Sequence, residues 1–274
     1  MKNRQRDDYS FANINMLGKC NANCYFCLGK DIEEQLSRHN QMSTFFGNWK
    51  NFHKFLDICL EREIRNVYLT GQNTDPSLYP CLQELIDWIQ KLGFNCGIRT
   101  NGLKVDENLL EVFKTCKASV GYSIHTLSPI TQKMMIGVSR IPDWEYILNN
   151  SGSNVRAQVV VTRCNEHEFF DVVKFLSTTP VKYIQARRVS TDTRLKELSP
   201  DIAAYERLYT LVSRVFPMTR KFFTDAEEYE IYGKKVVFWR TVKTSVNSMN
   251  YFSDGTISDE YFVVEGYLKN QQNI

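Results

Sequence analysis

The chain has 274 residues, enough for one large α/β domain with a sizeable core, or one domain plus a small appendage. With 24% charged and 43% apolar residues it has a globular composition, and a net charge of +3 is too small to argue by itself for a nucleic-acid or membrane partner. No apolar run approaches the roughly 18 residues of a membrane span, and the charged start MKNRQRDDYS lacks the apolar core of a signal peptide, so a cytoplasmic location is expected.

Short β-rich runs alternate with longer amphipathic segments. Residues 10–16 (SFANINM) read as a strand leading into a cysteine-rich loop. Residues 45–63 have helical spacing, with Phe52, Phe55, Leu56, Cys59 and Leu60 on one side. Residues 66–70 (NVYLT) are a second strand, and 77–92 a helix with Leu82, Leu85, Ile86 and Ile89 inward. A third strand at 94–100 precedes a helix at 106–116 carrying Leu109, Leu110 and Phe113. The fourth strand, 119–124, runs into a less regular, partly helical stretch at 129–147. Residues 155–161 (VRAQVVV) give the fifth strand, 166–176 a helix, and 181–189 (VKYIQARRV) the sixth strand.

Strands alternating with helices predict βα units and a parallel sheet. No G-x-G-x-x-G follows a strand, so a partial (β/α)6 TIM-like barrel over residues 1–195 fits better than a dinucleotide fold. Beyond it, 201–215 reads as a helix. Residues 229–267, rich in Val, Tyr, Phe and Thr with turn dipeptides Tyr232-Gly233 and Asp254-Gly255, read as a small antiparallel element. Residues 196–274 are therefore expected to form a C-terminal α+β extension packed on the barrel.

Eight cysteines occur, at 20, 24, 27, 59, 81, 96, 116 and 164. The chain is neither short nor cysteine-dense, which argues against a disulfide scaffold. Cys20, Cys24 and Cys27 form C-x3-C-x2-C, and thiolates so close let one loop wrap a corner of an iron–sulfur cluster. A structural zinc site wants four protein ligands, and Cys164 or His39 can supply a fourth, so spacing alone leaves both metals open. Cys59, Cys81, Cys96 and Cys116 read as small apolar fillers.

The motif, with Phe26 as the aromatic before its last cysteine, resembles the C-x3-C-x-(aromatic)-C signature of the radical S-adenosylmethionine (SAM) superfamily, in the loop after the first strand. Thr70-Gly71-Gln72-Asn73-Thr74-Asp75-Pro76 occupies the place of that family's G-G-E-P segment. Arg99-Thr100-Asn101-Gly102 is similar to its T-N-G, and Ser123 stands where a further SAM contact is common. The resemblance implies a 4Fe–4S cluster on Cys20, Cys24 and Cys27, with the fourth iron open to SAM. It implies that Gly71, Asn73, Thr74 and Asp75 hold the methionine end, and that Asn101 approaches the ribose. It also implies an external electron donor such as flavodoxin or ferredoxin, reductive cleavage of SAM, and hydrogen abstraction from substrate.

Residues at strand ends complete the expectations. His125 is a candidate for substrate contact or proton transfer, beside the reading of a hydrogen-bonded structural histidine. Arg163, Arg187 and Arg188 can fork onto a carboxylate or phosphate of SAM or substrate; Arg163 is assigned to SAM and Arg187, as the inward neighbour, to substrate. Cys164 is a candidate hydrogen donor to a substrate radical, beside the reading of an incidental thiol. Tyr251-Phe252 and Tyr261-Phe262 read as packing. The tail holds no second cysteine cluster, so a small polar or anionic substrate is favoured over a peptide. A zinc-stabilised nucleic-acid-binding module is the competing class.

Overall fold

The computed structural model describes residues 11–38, 42–191, 193–222, 226–240 and 248–259. Six βα repeats build the body. Their strands are β1 (Phe11–Leu17), β2 (Asn66–Gln72), β3 (Asn95–Thr100), β4 (Val120–Ser123), β5 (Val155–Val161) and β6 (Tyr183–Arg188). Between them run α1 (Glu33–Ser37), α2 (Phe52–Glu61), α3 (Leu82–Lys91), α4 (Glu107–Lys114), α5 (Pro129–Ile136), α6 (Trp144–Asn150) and α7 (Phe169–Ser177). After β6 come α8 (Leu195–Val215), β7 (Met218–Lys221), β8 (Glu227–Ile231), β9 (Lys234–Trp239), β10 (Ser248–Phe252) and β11 (Ile257–Ser258).

Strand alternation sorts the side chains. Val67, Leu69, Cys96, Ile98, Val120, Tyr122 and alternate residues of β5 point to the helices, where Phe52, Phe55, Leu85, Ile86, Phe113 and Val172 complete one core. Full burial of each such side chain contributes about 1.5–3 kcal/mol, which fixes the register of every strand. The opposite, concave side carries Asn13, Tyr68, Arg99, Gly121, Arg156 and Gln185. A polar concave face suits a ligand more than a core.

The sheet order is β11-β10-β1-β2-β3-β4-β5-β6-β9-β8-β7, and among the described residues it does not close. The expected six-stranded partial barrel is present. The tail, expected as one small antiparallel element, instead divides between its two edges. β9 pairs parallel with β6 after the α8 crossover, and β10 pairs parallel with β1. Each brings its own antiparallel hairpin, β8–β9 turning at Tyr232-Gly233 and β10–β11 at Asp254-Gly255. Both barrel edges offered unpaired backbone groups, and these strands satisfy them.

Other departures are local. The segment expected as one helix over 45–63 breaks at Asn51, whose φ of +59° cannot continue a helix; α2 starts only at Phe52, and Leu60 is exposed. Residues 77–92 likewise divide into a short 3-10 turn and α3. Helix α8 begins at Leu195 rather than 201, with Pro200 inside its second turn, where a missing N–H costs only one intrahelical bond. Cys59 and Cys96 are buried fillers, and Tyr251 packs among Trp49, Phe52 and Phe55. His39, Tyr261 and Phe262 lie outside the described residues. No helix among the described residues is long and apolar enough to cross a membrane.

Candidate active site

The loop after β1 is held from three sides. Asn23 and Tyr25 donate backbone N–H bonds to Ile136 and Met135 at the end of α5, 2.8 and 3.2 Å long. Phe26 roots the loop in a small second core with Leu103, Met135, Ile136, Val189 and Leu198, and its ring meets His125 edge-on at 5.2 Å. Arg194, just before α8, closes the third side. Its guanidinium donates to the Tyr25 carbonyl at 2.6 Å, the Cys27 carbonyl at 2.8 Å and the Asp31 carboxylate at 2.6 Å. Asp31 also accepts from Thr191 Oγ1 at 2.7 Å.

This loop brings Cys20, Cys24 and Cys27 together. Burial pushes the Cys20 thiol up to about 11, helped by nearby Asp75 and Cys27. Burial, then the proximity of Cys27 and Cys20, raises Cys24, and burial raises Cys27. As free groups all three keep their protons at neutral pH, so a bound metal centre must displace them. Backbone N–H groups of Gly29, Asn73 and Lys30 face the Cys27 sulfur and favour a thiolate there. Among the described residues no three His, Cys, Asp or Glu side chains meet as ligands of a single metal ion. Three thiols on one loop, near enough to perturb one another, are the ligand type that an iron–sulfur cluster takes.

The ends of β2 and β3 reach this loop. Gly71 passes so close to the following turn that a Cβ would lie 1.9 Å from the Thr74 carbonyl oxygen. Asn73 adopts the left-handed region at φ +57°. Thr74 Oγ1 donates to the Lys19 carbonyl at 3.0 Å, tying the segment to the residue before Cys20. The Asp75 carboxylate turns into the fold and accepts from Ser77 N and Oγ, Thr100 Oγ1 and Asn101 N, at 2.6 to 2.9 Å. Burial raises its pKa despite these four bonds. Asp75 thus braces β2 against β3 and aims Asn101, whose Nδ2 donates to Asn21 Oδ1 at 2.8 Å and reaches Cys20 Sγ at 3.7 Å.

The remaining candidates sit around the same end. Ser123 closes β4 half-buried. His125 is buried, accepts from Val160 N at 3.1 Å through Nδ1, and is pushed down to about 4 by burial, so it is neutral at physiological pH. Cys164 is half-buried, 3.8 Å from the Tyr25 hydroxyl, and that hydroxyl donates to Asp201 at 2.8 Å. Arg163 is mostly exposed; its backbone N–H donates to Asp201 at 3.0 Å and its guanidinium lies 3.8 Å away. Arg187 lies over Trp239 on the concave side, whereas Arg188 turns outward to Glu206. The contacts therefore join the three cysteines, Phe26, Asn73, Thr74, Asn101, His125 and Cys164, Asp201 ties the Arg163 backbone to Tyr25 of the same loop, and Arg187 stands apart. Sequence reasoning missed Arg194, Asp31, Tyr25 and Asp201, for which no motif signals. It also missed Arg99 and Arg156 as concave-face charges, which strand alternation could have signalled.

An open barrel of parallel strands with a thiol-bearing loop after the first of them is the arrangement that the resemblance to radical SAM enzymes implies. A family model described as the radical SAM superfamily matches residues 14–169, more than half of the chain. The chain belongs to the radical SAM superfamily, whose members use a 4Fe–4S cluster and SAM. It is 25% identical over 158 residues to an S-adenosylmethionine-dependent nucleotide dehydratase of Thermoplasmatales archaeon (strain ISO4-H5), covering 56% of this chain and 52% of that protein. It is 24% identical over 173 residues to a probable GTP 3′,8-cyclase of Thermococcus kodakarensis, covering 61% and 52%. The chain thus spans about half the length of the curated relatives it matches. Among solved structures, Streptococcus suis SuiB bound to S-adenosylmethionine superposes with a TM-score of 0.64 at 15% identity, over 91% of this chain and 59% of that one. Native anSMEcpe with bound AdoMet gives 0.58 at 13% identity, over 92% and 74%. Both likenesses concern the fold.

Proposed function

We propose that this chain is a radical SAM enzyme that holds a 4Fe–4S cluster on Cys20, Cys24 and Cys27 and acts on a small polar or anionic substrate. One observation carries the reading: the thiol loop, the turn after β2 and the end of β3 meet through Cys27–Asn73, Thr74–Lys19 and Asn101–Cys20 contacts. Cys20, Cys24 and Cys27 would hold the cluster, which with SAM bound beside it would supply the radical chemistry needed to take a hydrogen atom from substrate. The chain's own part is to orient and to exclude water. Gly71 and Asn73 shape a tight backbone turn for the methionine end of SAM, Thr74 fixes that turn to the loop, and Asp75 positions Asn101 toward the ribose. Ser123 and Arg163 lie at neighbouring strand ends for further SAM contacts. His125, neutral and fixed through Nδ1, offers only its Nε2–H to a ligand.

The two curated relatives are named for nucleotide chemistry, which favours a nucleotide within the polar, anionic class. In this reading residues 1–195 are the barrel and 196–274 an extension whose strands flank it. A reducing cytoplasm, with flavodoxin or ferredoxin as electron donor, suits free cysteines.

The test is anaerobic purification and assay. The protein should be brown, carry about four iron and four sulfide per chain, and release 5′-deoxyadenosine from SAM under reducing conditions. Cys20→Ala, Cys24→Ala and Cys27→Ala should each abolish both properties, and Cys81→Ala neither. A colourless zinc protein that never cleaves SAM would overturn the assignment.

A further inference from the structure

The concave face of the sheet carries positive charge that nothing else in the site uses. The register sets Arg99, Gly121 and Arg156 in one row across β3, β4 and β5. Tyr183 extends that row on β6, one residue before the pairing of Ala157 with Ile184. Gly121 makes room for two guanidiniums: a Cβ there would lie 2.8 Å from Arg99 Cδ and 3.0 Å from Arg156 Nε. Arg187, four residues along β6, adds a third on the same side.

Their partners divide sharply. Arg99 is held by the Ile98 and Ser119 carbonyls at 2.9 and 2.6 Å and by Ser119 Oγ at 3.1 Å. Arg156 donates one bond, 3.4 Å long, to the Tyr183 hydroxyl, and its buried Nε has no hydrogen-bond partner. Among the described residues no Asp or Glu forms an ion pair with Arg99, Arg156 or Arg187. Half-buried like charges without a counterion are unfavourable, and an anion relieves them. The electrostatics agree. Burial, then the Arg156 charge, pulls Arg99 down to about 9. Burial opposes ionisation of Tyr183, but Arg156, Arg99 and Arg187 together hold its phenol below the usual value.

We propose that Arg156, Arg187 and Tyr183, with Arg99 behind them, seat a phosphate group of the substrate. The proposal rests on the reading of this chain as a radical SAM enzyme with a small anionic substrate. Phosphate is favoured over carboxylate by charge count and geometry. Three guanidiniums exceed the single charge of a carboxylate, and the several oxygens of a phosphate chain can take forks from two arginines at once. Arg156 stands near the start of β5 and Tyr183 at the start of β6, whereas the thiol loop follows strand ends. A phosphate seated here leaves the rest of the molecule to extend along the concave face toward the cluster.

The test uses cluster-loaded, SAM-bound protein titrated calorimetrically with inorganic pyrophosphate, and separately with succinate. Pyrophosphate should bind, with succinate at least about tenfold weaker. Arg156→Met and Arg187→Met should each weaken pyrophosphate about tenfold or more, the usual loss for a charge-assisted bond. Arg188→Met, whose side chain faces Glu206 instead, should bind as wild type. Where Arg156→Met fails to fold, Arg156→Lys, which keeps the charge but not the fork, should fall between the two. No pyrophosphate binding by wild type, unchanged binding in the folded arginine variants, or equal binding of succinate would overturn the seat. Release of 5′-deoxyadenosine is measured on the same preparations. Normal release without pyrophosphate binding rejects the seat alone, and arginine-dependent binding without release rejects the enzyme reading alone.

Discussion

Replacing Arg194 with Met should loosen the thiol loop from outside it. In the native structure the guanidinium is 17% exposed and the Asp31 side chain is fully buried. The substitution leaves Asp31 with Thr191 as its remaining donor, strips the Tyr25 carbonyl of its donor, and leaves the Cys27 carbonyl only the Lys30 backbone N–H. Removing one partner of a buried pair costs about 3–5 kcal/mol. The lower end applies here, because the Thr191 hydroxyl stays and water can reach a loop at the barrel mouth. For a chain of this size about 3 kcal/mol corresponds to a melting temperature lower by roughly 6–12 °C. Hydrogen exchange should speed up between Cys24 and Ile32, and anaerobic reconstitution should deliver less iron. Arg194→Lys keeps a charge near Asp31 but loses the fork onto both carbonyls, so it should fall between wild type and Met. Asp31→Asn combined with Arg194→Met removes the stranded charge and should recover part of the loss, giving a coupling of about 1 kcal/mol or more. An Arg194→Met protein that melts with wild type, exchanges its loop amides normally and takes up full iron would refute this account.

Gly71→Ala should abolish SAM binding and impair folding, because the new Cβ meets backbone at 1.9 Å and no rotamer can relieve it; equilibrium dialysis with labelled SAM decides. Burial holds His125 near 4, below its ordinary value of 6.5, so as pH falls the unfolded chain takes up the proton first. Its stabilising contribution is therefore complete above the unfolded value and lost as pH drops toward 4, by at most about 3 kcal/mol. His125→Asn, whose side-chain carbonyl can accept from Val160 N–H, should flatten that pH dependence in denaturant titrations at pH 7.5 and 5, and an unchanged slope would count against it. Cys164→Ala should still cleave SAM yet fail to complete the product, with solvent deuterium entering only the wild-type product; normal product from the variant would dismiss Cys164 as hydrogen donor.

Much of this protein was legible in its sequence because the signals are local. Alternation in VRAQVVV places β5 to the residue, since period-2 burial on one side of a sheet leaves no other register. The C-x3-C-x2-C spacing with Phe26, followed by the 70–76 and 99–102 segments, marks the thiol loop and its neighbours, because each is a short backbone device in a fixed place in the βα order. What the local signals could not give is long-range. Strands β9 and β10 look like any β-rich tail, yet they join opposite edges of the sheet, β9 beside β6 and β10 beside β1, where Asn13 and Asn250 meet across a separation of 237 residues, because only the folded barrel has edges to satisfy. Asp75, with its oxygens spread among tempting neighbours, turns inward as a brace once Thr100 and Asn101 are in place. Arg194 carries no motif, and only the return of the chain at α8 sets it against Tyr25, Cys27 and Asp31. The sequence by itself determined the βα order and the residue types of the site; the tertiary structure alone decided which buried charges would find a partner and which would face the concave side without one.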